Sequence, residues 1–158
     1  MKYRLASLAL AAITVLALPS GAVEEASALA RWQEDHKVVL DARDVTLAEF
    51  QWIARPVVVF ADSPADPRFR EQMEYLTARM DELALRDVVV IVDTDPAART
   101  ELRLALRPRG FMLAILGKDG RVNLRKPAPW DVREISRSID KMPLRQQEIR
   151  DRHGAPPG

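Results

Sequence analysis

The chain has 158 residues, no cysteine and a formal net charge of +1. That length suits one domain, and the missing cysteines exclude disulfides, thiol redox, thiolate nucleophiles, Cys-ligated zinc and iron–sulfur clusters. The near balance of 24 basic and 23 acidic residues argues against a general nucleic-acid binder, which carries a strong basic excess.

The first residues have the pattern of an export signal. Lys2 and Arg4 precede an apolar run from Leu5 to Leu18, then Pro19 and the small residues Ser20-Gly21-Ala22. The run is short against the roughly 20 residues of a spanning helix, so residues 1–22 are expected to be a cleaved signal peptide rather than an anchor. The expected location is periplasmic or secreted, with no membrane span left after cleavage. No cysteine near the cleavage site means no lipid anchor there. Cleavage removes Lys2 and Arg4 and no acid, leaving 22 bases against 23 acids. A mature chain of this size can bury a core large enough to stand without disulfides. Its charge is uneven: residues 24–49 hold seven acids and three bases, residues 118–152 ten bases and six acids.

Residues 23–45 read as an N-terminal extension. Val23, Ala26, Leu29 or Ala30, and Trp32 or Gln33 recur at helical spacing, and Val38-Val39-Leu40 is a short extended candidate. The main domain is expected over residues 46–152. Its first firm strand is Val57 to Ala61, apolar on both faces as a central strand should be. Pro56 is acceptable at the start, where a strand can forgo an N–H. Asp66-Pro67 then combines an N-cap acid with proline at the first helical position; Ser63-Pro64 is an alternative start. Phe69, Met73, Leu76, Met80 and Leu83 make one amphipathic stripe, which predicts a helix of about five turns. Val88 to Val92 is a second dry strand, completing a βαβ unit. Asp95-Pro96 predicts a second helix with Ala98, Leu102 and Leu106 inward, ended by Pro108. Met112–Leu116 and the more polar Val122–Lys126 flank Lys118-Asp119-Gly120, a hairpin turn with an edge strand behind it. Val132, Ile135, Ile139 and Met142 mark a last major helix, which Pro143 closes or kinks. Leu144 to Arg152 adds a short helix, and residues 153–158 read as a disordered tail.

This order gives an α/β fold: a single thioredoxin-like domain with a central mixed sheet, a βαβ unit plus a β-hairpin, flanked by helices. Four stretches add a family resemblance: Phe50-Gln51-Trp52 with Arg55-Pro56-Val57-Val58-Val59-Phe60-Ala61; Arg86-Asp87-Val88-Val89-Val90; Gly110-Phe111 leading to Leu116-Gly117-Lys118-Asp119-Gly120; and Ile139-Asp140-Lys141-Met142-Pro143-Leu144-Arg145-Gln146. Over most of the mature chain the sequence resembles the DUF-4174 family of exported bacterial proteins, related to the animal P-DUDES domain. The resemblance implies a thioredoxin-like fold; a peroxiredoxin-like activity has been proposed for the animal members. It brings no established reaction. This chain departs from that picture, because the dithiol position is filled by Asp62-Ser63-Pro64-Ala65-Asp66 and the cis-proline position by Phe111 or Met112. Peroxidase or disulfide chemistry has no thiol to use.

The candidate junction site is therefore Asp62, Ser63 and Asp66. Ser63 is a nucleophile only if a base takes its proton, and the two histidines, His36 and His153, both lie in peripheral segments. Its default role is a turn or cap. Asp62 and Asp66 could pair for acid–base work, but acids at a helix N-terminus commonly serve the dipole. Their negative charge also disfavours an anion on that helix start. Asp93-Thr94-Asp95 reads as a helix cap before a cation site, so no metal and no cofactor are expected. Gly117-Lys118-Asp119-Gly120 lacks the strand-loop-helix setting of a phosphate loop. Arg145 and Arg150 are candidate docking residues, able to fork onto a carboxylate, against a plain packing helix. The leading expectation is a binding or accessory module whose partner is an envelope or extracellular protein. The alternative is a hydrolase-type or other non-thiol enzyme at Ser63.

Overall fold

A computed structural model of the protein describes residues 26–154. The expected signal peptide, residues 23–25 of the first helix and residues 155–158 of the tail lie outside the described residues.

Five strands form one mixed sheet in the order β1-β3-β2-β4-β5. The strands are β1 (Val39–Asp41), β2 (Arg55–Phe60), β3 (Val88–Asp93), β4 (Met112–Leu116) and β5 (Val122–Lys126). β3 runs parallel to both β1 and β2, whereas β4 is antiparallel to β2 and β5 to β4. Period-two alternation sends the β-branched run to both faces. Val58, Phe60, Val89 and Ile91 enter one core with Trp32, Leu40, Phe50 and Leu102. Val57, Val59, Val88 and Val90 enter the other with Leu76, Leu83, Ile135 and Ile139.

The segment before residue 46 is integral to this architecture. Helix α1 (Ala28–Glu34) is capped by Ser27, whose Oγ accepts from Ala30 N. Trp32 is buried, and its ring N–H donates to Val88 O at 3.1 Å. β1 adds an edge strand that the short Val38–Leu40 run hinted at only weakly. A single turn, α2 (Leu47–Phe50), then sets Phe50 into the core.

Two helices differ from the sequence pattern. The expected five-turn helix is broken into α3 (Pro67–Thr77) and α4 (Met80–Ala84). Thr77 Oγ1 donates back to Met73 O at 2.8 Å, a bond that bends helices, and Arg79 leaves the helical region at φ −138°. The stripe outlasts the break, since Leu76, Met80 and Leu83 are all buried. Asp95-Pro96 starts only a 3₁₀ turn, Pro96–Ala98, with Ala98 exposed. The chain reverses at Arg99 (φ 46°), and Thr100 caps the true helix α5 (Glu101–Leu106). Leu102 and Leu106 are buried as the pattern requires.

After the hairpin come α6 (Val132–Asp140) and α7 (Pro143–Gly154). Pro143 is the first residue of α7, and the helix carries His153 and Gly154 in its last turn. Gln72, a polar residue within the α3 stripe, is fully buried. Its amide donates to Trp130 O at 2.9 Å and accepts from Trp130 N at 2.8 Å, fixing the entry to α6. No described helix is long and apolar enough to cross a membrane.

Candidate functional site

The strand-to-helix junction sits beyond the C-terminal end of β2. Asp66 is the N-cap of α3: its carboxylate accepts from Arg68 N at 2.8 Å and from the Arg68 guanidinium at 3.0 Å. Hydrogen bonding from the Arg68 side chain holds this carboxyl below its usual range. Ser63 Oγ accepts from Ala65 N at 3.1 Å, a local turn bond. Asp62 is exposed, 3.7 Å from Arg103. Asp62, Ser63 and Asp66 thus share one turn, and each is close to a group that holds the loop.

Neither histidine approaches the serine. His36 packs on Trp32, 4.3 Å between ring centres, and Trp32 bonds Val88 at the start of β3. Ser63 lies past the other end of the sheet, since Arg55 aligns with Val88 and Phe60 with Asp93. That separation is roughly 17 Å of strand. His153 Nδ1 lies 2.7 Å from Ile149 O of its own helix.

Behind the junction is a buried ion pair. Asp93 Oδ1 accepts from Arg103 Nη2 at 2.7 Å and Nε at 3.0 Å, and Thr100 Oγ1 donates to its second oxygen. Arg103 also donates to Ala61 O at 2.9 Å. Asp93 is therefore satisfied by an arginine rather than poised for a cation. Asp95 caps the 3₁₀ turn by accepting from Ala97 N. No group of three metal-binding side chains occurs among the described residues.

The densest electrostatic construction is at the opposite end. Arg55 opens the apolar β2 and is 1% exposed. Its Nη1 donates to Arg86 O and its Nη2 to Glu148 Oε1, both at 2.8 Å. Lys118 Nζ stands 2.8 Å from Asp87 Oδ2 and 3.0 Å from Glu148 Oε1. Arg86 grips Asp140 with Nε at 3.0 Å and Nη2 at 2.8 Å. Arg145 joins Asp140 at 3.4 Å and Glu148 at 3.2 Å. Four cations and three carboxylates from β2, the turn before β3, the hairpin, α6 and α7 close into one network. Burial alone would raise the Glu148 carboxyl, but hydrogen bonds from Arg55 and Lys118 outweigh it and bring it down to about 2. Burial likewise opposes the ionised Asp140, and the Arg86 bonds prevail, so its carboxyl is lowered.

This network changes the reading of α7. Arg145 is 7% exposed and turned inward to Asp140 and Glu148, so its fork is occupied within the chain. Arg150 is exposed on the same helix. The four stretches that carry the family resemblance meet here, a convergence that linear reading did not show. The available signal was Arg55 beside Asp87: a charged residue at the mouth of each of two adjacent dry strands.

Next to the network the surface is apolar and strained. Trp52 follows α2 with φ 65° and is 64% exposed. This left-handed position after a helix usually belongs to glycine, and a bulky residue there is an outlier. Its N–H donates to Lys118 O at 2.6 Å, which secures the turn. Trp52, Leu144 and Gln147 line a cleft of about 240 Å³ that also reaches Lys118, Glu148 and Asp151. Ile53 and Leu144 extend the exposed apolar area.

The sheet order and its flanking helices define a thioredoxin-like protein whose junction holds serine and aspartate. Residues 46–148 match the family described as Domain of unknown function (DUF4174), and the chain belongs to that family. Among curated proteins it is similar to coiled-coil domain-containing protein 80 of Danio rerio, at 26% identity, with 65% of this chain aligned. The alignment spans only 15% of that protein's length. Among solved structures it is similar to reduced desulfothioredoxin from Desulfovibrio vulgaris Hildenborough, with TM-score 0.48 and 19% identity. That likeness covers 66% of this chain and 97% of the other.

Proposed function

We propose that the protein is an exported thioredoxin-like binding module without thiol redox chemistry, and that it meets a protein partner of the envelope or extracellular space through the Trp52 face. The observation that carries this reading is Trp52 itself: an exposed indole held in a left-handed turn above a cleft. Strained, exposed aromatics of this kind recur at binding sites, where packing elsewhere in the fold holds them. The leader-like residues 1–22 support export. The cysteine-free junction supports a role other than thiol chemistry.

The test is affinity capture from envelope extract with wild type, Trp52→Ala and Ser63→Ala, each verified as folded by circular dichroism. Loss of a captured protein with Trp52→Ala alone is the expected result. Recovery unchanged by Trp52→Ala but lost with Ser63→Ala would move the function back to the junction. Covalent labelling of wild type by a fluorophosphonate, abolished by Ser63→Ala, would favour the hydrolase instead.

A further inference from the structure

At the other end of the sheet from Trp52, an open groove of about 280 Å³ runs between the end of α5, the start of β4 and the end of β5. Arg107, Arg109, Arg125 and Lys126 line it, over a floor from Phe111, Met112 and Pro127. No carboxylate is among its lining residues, and none of the four cations makes a salt bridge with a described residue. The buried or bridging arginines Arg55, Arg68, Arg86, Arg103 and Arg145, by comparison, each have a carboxylate partner.

The cations are placed by the fold. Arg107 ends α5 in the left-handed conformation, its N–H bonded to Arg103 O at 2.9 Å. Arg125 Nη1 donates to Leu106 O at 2.7 Å, anchoring one corner of the guanidinium at the negative end of α5. A guanidinium has five N–H donors, so most of them remain for another acceptor. Lys126 Nζ stands 4.3 Å above the Trp130 ring, which restrains the ammonium beside the groove.

Four like charges around one concavity repel one another, and an anion between them relieves that repulsion. Planar guanidinium groups suit carboxylate and phosphate oxygens. Phe111 and Met112 close the floor from below, and the exposed Pro127 beside them offers contact to an apolar body. The volume is close to the lower bound of small-molecule sites, about 300 Å³, which suits a single ring. We propose that this groove binds a small amphipathic organic anion: a phosphate or carboxylate head held by the four cations, with one apolar ring against Pro127 and the edge of Met112. The proposal is independent of the Trp52 face.

The experiment is an amide-resolved NMR titration of the full mature chain with phenyl phosphate, inorganic phosphate and phenol. Phenyl phosphate is expected to bind at least about tenfold more tightly than either fragment, with shifts centred on residues 107–112 and 125–127. Arg109→Glu and, separately, Lys126→Gln should each weaken it about tenfold, as loss of a charge-assisted contact does. Arg133→Glu, which changes an exposed cation on α6, should leave the affinity as it is. Equal affinity for inorganic and phenyl phosphate would overturn the proposal, as would equal affinity in wild type and Arg109→Glu. Binding to phosphatidylglycerol vesicles with no response to phenyl phosphate would overturn it too, in favour of a lipid surface. Trp52→Ala should titrate like wild type, so failure of either proposal is read separately.

Discussion

Arg55 concentrates the energetics at the scale of single residues. Its charge is out of water and its bonds reach Arg86 O and Glu148. Arg55→Ala is expected to cost about 3 kcal/mol, because removing one partner of a buried pair leaves the rest uncompensated. Arg55→Lys keeps the charge but loses the fork that reaches two acceptors, so it should recover only part of the loss. Urea midpoints compared across the three proteins measure this, and equal midpoints would refute it. Trp52 presents the converse case. Trp52→Gly removes a left-handed penalty of about 1–2 kcal/mol from a side chain that buries little. Its melting temperature is expected to equal or exceed that of wild type, whereas partner capture is lost. Both roles escaped the sequence for a physical reason. Arg55 lies next to the apolar run it supports, and nothing local shows that Glu148 will come to it across the chain.

Helices and strands were more legible than their joints. The dry runs around Val57 and Val88 and the Asp66-Pro67 start are local signals, and each forms where the pattern places it. The break at Thr77–Arg79 was hidden because the apolar stripe continues through it. The Asp95-Pro96 pair carries no signal of length, because a cap and proline suit a single 3₁₀ turn as well as a helix. α7 is the α-helix least supported by apolar packing: its one buried residue is Arg145. Its docking depends on ionised Glu148 and Asp140, which sets an acid response. Glu148 has its folded pKa depressed from 4.5 to about 2. Its contribution is therefore full above about pH 4.5 and lost as pH falls through about 2. At a carboxylate about a quarter exposed, screening leaves this on the order of 1–2 kcal/mol. Hydrogen exchange followed from pH 5 downward should show α7 losing protection before β2 and β3, and Glu148→Gln should flatten that dependence. Simultaneous loss in α7 and the strands would count against a separately held helix.

For the molecule as a whole, the chain gains its stability from two cores on the faces of one sheet, with no covalent staple. Thermal unfolding is expected to give the same midpoint with and without dithiothreitol, and a reductant-dependent shift would contradict the non-covalent account. The candidate site was legible as a place but not as a use: the junction is where the strand order puts it, while the densest polar construction lies at the other end. That network also imposes an order of events on folding. The Arg55–Glu148 bond joins residues 93 positions apart. A chain emerging from its N-terminus has β2, β3 and the hairpin available while α7 is still to come. Until then Arg55 has no carboxylate from α7 to meet it, so complete burial of the β2 end must wait for that helix. Truncation before Glu148 should therefore leave a soluble but protease-sensitive intermediate, and supplying the C-terminal segment in trans should close it.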